Sequence, residues 1–223
     1  MSTPLPPPPA ATTAESHALL YADDSLLVVA KPTRLLSVPG RGEDKQDCLI
    51  ARVQQDYPDA LIVHRLDFDT SGLVVLARGK AMHRRLSIAF QEREVDKRYV
   101  AVVDGKLMAS DGEVNLPLLV DWPNRPLHKV DFDQGKPSLT RFRQLAYDAA
   151  THSTRVELTP ETGRTHQLRV HMQALGHVIL GDPLYAEAAV RAKAERLLLH
   201  AEFLAFAHPQ DGRRLEFTSP APF

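Results

Sequence analysis

HRLDFDTSG, residues 64–72, separates the apolar run Leu61-Ile62-Val63 from a second one, Leu73-Val74-Val75-Leu76. Short runs rich in branched residues, with Asp, Thr, Ser and Gly between them, read as two buried strands joined by a polar connection. The connection also carries Arg65 and Asp67, charges flanked by apolar strands and so partly removed from water. The bland reading is a turn. Against it, charges persist in such places chiefly when they are paired or functional.

Working outward, Leu26-Leu27-Val28-Val29-Ala30 reads as a buried strand stopped by Lys31-Pro32. DCLIARVQQDY predicts a short helix with Asp47 as its N-cap and Pro58 at its end. In AMHRRLSIAFQERE, Met82, Leu86 and Phe90 recur at helical spacing. KRYVAVVDGK, LTRFRQLAY and STRVELT read as strands, the first ending in an Asp-Gly turn. HQLRVHMQAL, stopped by Gly176, and AEAAVRAKAERLL are expected helices, with Leu168, Met172 and Leu175 facing the core and Arg169 on the border of that face. Strands outnumber helices without regular alternation, which predicts an α+β fold on a mixed, mainly antiparallel sheet with flanking helices. Residues 1–16, MSTPLPPPPAATTAES, have little to bury and read as a disordered Pro-rich tail; residues 17–223 read as one domain.

Composition bounds the chemistry. At 43% hydrophobic and 25% charged, the 223 residues suit a globular protein with a full core. The single cysteine, Cys48, excludes an internal disulfide and a Cys-rich zinc site. His166 and His171 are five apart, poor spacing for two ligands on one helix face. No run reaches the roughly 18–20 apolar residues of a membrane span, and no signal peptide is visible, so a cytoplasmic protein without membrane contact is expected. A formal charge of -1 argues against a globally basic nucleic-acid binder. It leaves room for a local patch, and Arg78, Lys80, Arg84, Arg85, Arg93, Lys97 and Arg98 form a candidate, although such a run is ordinarily a solvated helix face.

HRLDFDTSGLVVLAR resembles the signature of the RluA family of pseudouridine synthases, H-R-L-D-x-x-T-S-G-L followed by apolar residues and Lys or Arg. LLYADDSLLVVAKPTRLLSVPG, KRYVAVV and GRTHQLRVHMQALGHVILGDPLY are similar to that family in the same order, so the resemblance spans roughly residues 19–185. The resemblance implies an enzyme that detaches uracil from ribose in RNA, turns it and rejoins it through carbon 5. Such an isomerisation calls for no cofactor and no metal. By similarity Asp67 is the catalytic carboxylate, whether it attacks the ribose, adds to uracil or removes a ribose proton; each role needs it ionised. By similarity Arg169 is the cation that keeps it so, and Tyr99 packs against uracil and takes the proton from carbon 5. Arg65 corresponds to the residue that fills the gap left by the extruded uridine. His64, Thr70, Arg164 and His166 complete the expected RNA-binding set.

Two rivals share some of these residues. Asp67-Phe68-Asp69-Thr70 fits the D-x-D-x-T pattern of magnesium-dependent haloacid-dehalogenase-like phosphatases, but His64-Arg65 intervene between strand and first Asp, and no acidic pair follows a second buried strand. The other rival is a non-catalytic RNA-binding domain, which the intact Asp67, Tyr99 and Arg169 argue against. Only about twenty residues precede the LLYADDSLLVVAKP segment, too few for the small helical module that many relatives carry. Target choice then falls to a monomeric catalytic domain reading a local loop. The layout most resembles the subgroup acting on a loop of large-subunit (23S) rRNA and on tRNA anticodon stem-loops, and rRNA and tRNA stem-loops are the expected partners.

Overall fold

The computed structural model describes residues 17–223; the expectation for residues 1–16 lies outside the described residues. Twelve strands are named in chain order: β1 Ala18–Ala22, β2 Leu26–Lys31, β3 Ala60–Ile62, β4 Ser71–Arg78, β5 Asp96–Asp104, β6 Asp111–Asn115, β7 Leu118–Val120, β8 His128–Val130, β9 Leu139–Asp148, β10 Ser153–Pro160, β11 Leu199–Ala207 and β12 Arg214–Thr218. The α-helices are α1 Leu49–Val53, α2 Gly79–Gln91, α3 Gln167–Ala174 and α4 Ala188–Arg191. Ten strands form one sheet in the order β1-β2-β4-β11-β5-β10-β9-β6, with β3 added to β4 and β12 to β11; β7 and β8 form a separate hairpin. Among the described strands only β4 and β11 pair in parallel, so the sheet is mixed and mainly antiparallel, the α+β arrangement expected.

The continuous apolar runs of β2 and β4 follow from burial of both faces. Leu27, Val29, Val74 and Leu76 enter the core beneath α1, whereas Leu26, Val28, Leu73 and Val75 enter a second core with Leu86 of α2 and Phe206 of β11. The other half of the sheet buries Ala101, Val103, Val156 and Leu158 against Leu168 and Met172 of α3. The halves meet where β4 and β11 pair, through only Ser71↔His200 and Ala201↔Gly72. Gly72 permits the approach. Its φ is +116°, and a Cβ there would stand 2.3 Å from the Ala201 carbonyl oxygen. Beyond this point β4 goes on to pair with β3 and β11 with β12, while the residues just before Ser71 line a cleft.

Several local expectations are corrected. Cys48, not Asp47, is the N-cap of α1; Asp47 instead accepts two 2.7 Å hydrogen bonds from Arg52. The expected helix over AEAAVRAKAERLL is the single turn of α4, with no buried residue to hold a longer one. Leu175 lies beyond α3 and is 38% exposed, while Arg169, expected at the border, is 2% exposed. Among the described residues, no helix is long and apolar enough to cross a membrane.

Candidate active site

The segment 64–70 lies along the floor of a cleft of about 600 Å³, and its backbone is clamped by the segment that follows β2. The Ser37 hydroxyl donates to the Leu66 carbonyl at 2.8 Å and accepts from the Leu66 N–H at 3.1 Å. Thr33 donates to the Asp69 carbonyl, and the Leu35 N–H to the Phe68 carbonyl. Lys31 is 1% exposed, and its ammonium donates to the carbonyls of Pro32, Leu35 and Phe68 at 2.9, 2.7 and 3.2 Å. Burial pulls its pKa down to about 7, against the pull of Asp67 and Asp69. The residue read as a strand stop therefore ties the Phe68 carbonyl to the segment that follows β2. Within the loop, the Thr70 N–H donates to the Asp67 carbonyl at 3.2 Å, a turn that lifts the Asp67 side chain into the cleft.

Arg169 reaches that side chain from α3, with Nη1 3.5 Å from Asp67 Oδ2. The stronger bond is elsewhere: Nε and Nη2 grip both oxygens of Asp182 at 2.7 and 2.6 Å, the bidentate geometry suited to a guanidinium. Asp182 is wholly buried and also accepts the Leu184 and Tyr185 N–H groups. Burial alone would lower the Arg169 pKa, but Asp182, with Asp67 behind it, holds it above the ordinary value. The expected pair is thus a row of two carboxylates about one cation, and Asp182 was missed. A signal existed: GDPLY lies inside a quoted motif, and a buried Arg needs a carboxylate.

Tyr99 lines the same cleft from β5, opposite Leu158 of β10 and Ala201 of β11, at the junction of two cores. Burial, and then the Asp67 charge, push its phenol above the ordinary value, so it stays protonated at neutral pH. Arg65 and Arg164 also line the cleft and are exposed, and Arg65 makes no ion pair among the described residues. His166 lines it too, in the left-handed conformation at φ 55°. His64 and Thr70 line the cleft as well. The ring of His64 stacks on Phe90 at 4.4 Å and accepts the Val75 N–H at 3.0 Å, and burial lowers its pKa to about 3, so it is a neutral support of the wall. Thr70 is 3% exposed, and its N–H closes the turn onto the Asp67 carbonyl.

Of the seven-residue basic run, Arg93 and Lys97 line the cleft, whereas Arg78 pairs with Asp59 and Arg98 with Glu157. Both ring nitrogens of His171 are engaged, one with Thr140 and one with Ser138 and the Leu116 carbonyl, which makes it a structural residue. Among the described residues no group of three or more His, Cys, Asp or Glu side chains is arranged to hold a metal. Asp67 follows a three-residue strand that runs antiparallel to β4 and ends at Ile62, not a parallel strand leading into the first Asp, so the phosphatase reading is not supported. What the cleft offers is the accessible Asp67 carboxylate beside a buried guanidinium, an aromatic ring and a largely cationic rim.

Comparison with known proteins bears on that arrangement. A family described as RNA pseudouridylate synthase matches residues 25–174. The chain is 53% identical over 205 residues to the dual-specificity RNA pseudouridine synthase RluA of Escherichia coli (strain K12), covering 92% of this chain and 93% of that protein. It is 49% identical to the protein of that name from Yersinia pestis, covering 92% and 99%. Among solved structures, human RNA pseudouridylate synthase domain containing 1 superposes with a TM-score of 0.79 at 31% identity, covering 96% of this chain and 86% of that one. Human RNA pseudouridylate synthase domain containing 4 gives 0.73 at 26% identity, covering 92% and 88%.

Proposed function

This chain belongs to the RNA pseudouridylate synthase family, as an RluA-type RNA uridine isomerase, and from that premise we propose that Asp67 is its catalytic carboxylate and that its substrates are stem-loops of both rRNA and tRNA. The observation that carries the first part is the position of Asp67: in the cleft, partly exposed, with Oδ2 3.5 Å from a buried guanidinium that Asp182 holds in place. A fixed cation beside it orients the carboxylate that every route through this residue uses.

The other residues divide the work. Tyr99 offers a ring face for the extruded base and a protonated phenol able to relay the proton leaving carbon 5. Arg65, without an ion pair among the described residues, stacks where the uridine had been, an extrusion costing a few kcal/mol and least in a loop. Arg164, Arg93 and Lys97 meet phosphates along the rim. His166 faces Asp67, while His64 and Thr70 shape the wall and the turn.

The substrate proposal rests on the size of this cleft and on the dual-specificity name of the relatives. A cleft of about 600 Å³ admits one flipped nucleoside and its neighbours, so selection falls on local loop shape. The protein then acts as a cytoplasmic monomer on stem-loops small enough to be made as isolated RNAs. The test is to offer the purified protein isolated 23S rRNA and tRNA anticodon stem-loops and to map pseudouridine. Modification of both kinds supports the proposal. A requirement for assembled ribosomal particles, or turnover of one kind alone, overturns it.

A further inference from the structure

His166 stands at the head of α3 between two groups that define its ring. Its Nδ1 lies 2.7 Å from the Tyr185 hydroxyl, and its Nε2 lies 4.0 Å from Asp67 Oδ2. The Tyr185 oxygen also accepts the His128 N–H at 2.9 Å. A backbone N–H can only donate, so the phenol oxygen is the acceptor there and the phenol proton is free for His166. Among the described residues His166 is the acceptor within reach of that proton. With Nδ1 accepting, a neutral imidazole must carry its proton on Nε2, on the side of Asp67.

Two donors therefore converge on one oxygen. The approaches of Arg169 Nη1 and His166 Nε2 to Asp67 are both to Oδ2, at 3.5 and 4.0 Å. We propose that Tyr185 locks His166 as its Nε2–H tautomer, and that this N–H closes on Asp67 Oδ2 when RNA binds, leaving Oδ1 as the oxygen that faces the substrate. His166 is then a positioning residue, acting through Asp67. Its environment is consistent with a neutral ring: burial first, then Arg169 and His128, lower its pKa to about 4 despite Asp67 and Asp182. Burial raises the Tyr185 phenol to about 12, so its proton is retained. The left-handed backbone of His166 and the 9% exposure of its side chain fix the ring in this direction. The Tyr185 ring beneath Arg169, 5.2 Å from the guanidinium carbon, ties both donors to one support.

This inference rests on Asp67 as the catalytic carboxylate, and the experiment separates the two claims. Nitrogen-15 NMR of the wild-type imidazoles reads the tautomer directly, and single-turnover kinetics compares Asp67→Asn, Tyr185→Phe, His166→Gln and His166→Leu on one stem-loop. Expected are an Nε2–H signature for His166, its loss in Tyr185→Phe, and a kcat lowered about tenfold or more in His166→Leu with KM little changed. His166→Gln, which keeps an N–H near that position, should recover much of the loss. An Nδ1–H tautomer in the wild type, or equal kcat in the Gln and Leu variants, overturns the inference. Turnover by Asp67→Asn would instead overturn the assignment beneath it.

Discussion

Asp182 decides the charge balance of the cleft: without it, Asp67 would have to hold a fully buried guanidinium alone, at 3.5 Å. With it, the cation is anchored from behind and Asp67 stays partly exposed in the cleft. Arg169→Ala should therefore remove both activity and stability, because it strands the wholly buried Asp182 carboxylate, at a cost of about 3–5 kcal/mol. Urea melts of the two proteins check it; a wild-type midpoint together with wild-type turnover would contradict the network. Asp67, Tyr99 and Arg169 were legible in the sequence because each sits in a literal motif. Asp182, Lys31 and Tyr185 lie within the same motifs but carried no assigned role, since their work depends on which buried partner they meet across the fold. Lys31 in particular looks like a strand end until three carbonyls are seen to converge on it.

Among the elements, the short contact between β4 and β11 positions the site, and it depends on Gly72. Gly72→Ala combines a disfavoured φ with a clash against the Ala201 backbone, so a loss of at least ~2 kcal/mol is expected. Activity should fall further than the melting temperature alone explains, because the 64–70 segment precedes this contact. Circular dichroism melts and turnover, measured well below the variant's own transition, separate the two effects; wild-type behaviour in both would deny the contact this role. The apolar runs of β2 and β4 were legible because burial of both faces leaves an unbroken pattern. LHAEFLAFA was not recognised as a strand, because β11 changes partners along its length and His200 and Glu202 break any simple alternation. AEAAVRAKAERLL misled in the opposite direction: its alanines favour helix, but only one turn forms when no apolar face is packed.

At the scale of the whole molecule, remote parts of the chain are joined by polar clusters that respond to pH. Asp23 ties the β1–β2 turn to His208 beyond β11 at 3.0 Å. Burial alone would raise its carboxyl, but hydrogen bonds from Tyr21, the Ser25 and Leu26 N–H groups and His208 bring it down from 3.8 to about 2. A carboxyl depressed by folding stabilises fully above its unfolded value and loses that contribution as pH falls through its folded one. Wild type should exceed Asp23→Asn by at most about 2 kcal/mol at pH 6, and the advantage should shrink below about pH 4 and be gone only below about pH 2. Denaturant titrations across that range check it; a difference independent of pH would contradict it. The same scale explains how a chain of net charge -1 handles RNA: Arg65, Arg93, Lys97 and Arg164 gather at one cleft while other basic side chains are paired elsewhere. The central claim is that uridine isomerisation passes through the Asp67 carboxylate at that cleft. Tritium release from RNA stem-loops carrying uridine labelled at carbon 5, with RNA affinity measured in parallel for wild type and Asp67→Asn, tests it most directly. Wild type should release tritium and the variant none, with affinities within a few fold of each other; appreciable release by Asp67→Asn would place the chemistry on another group.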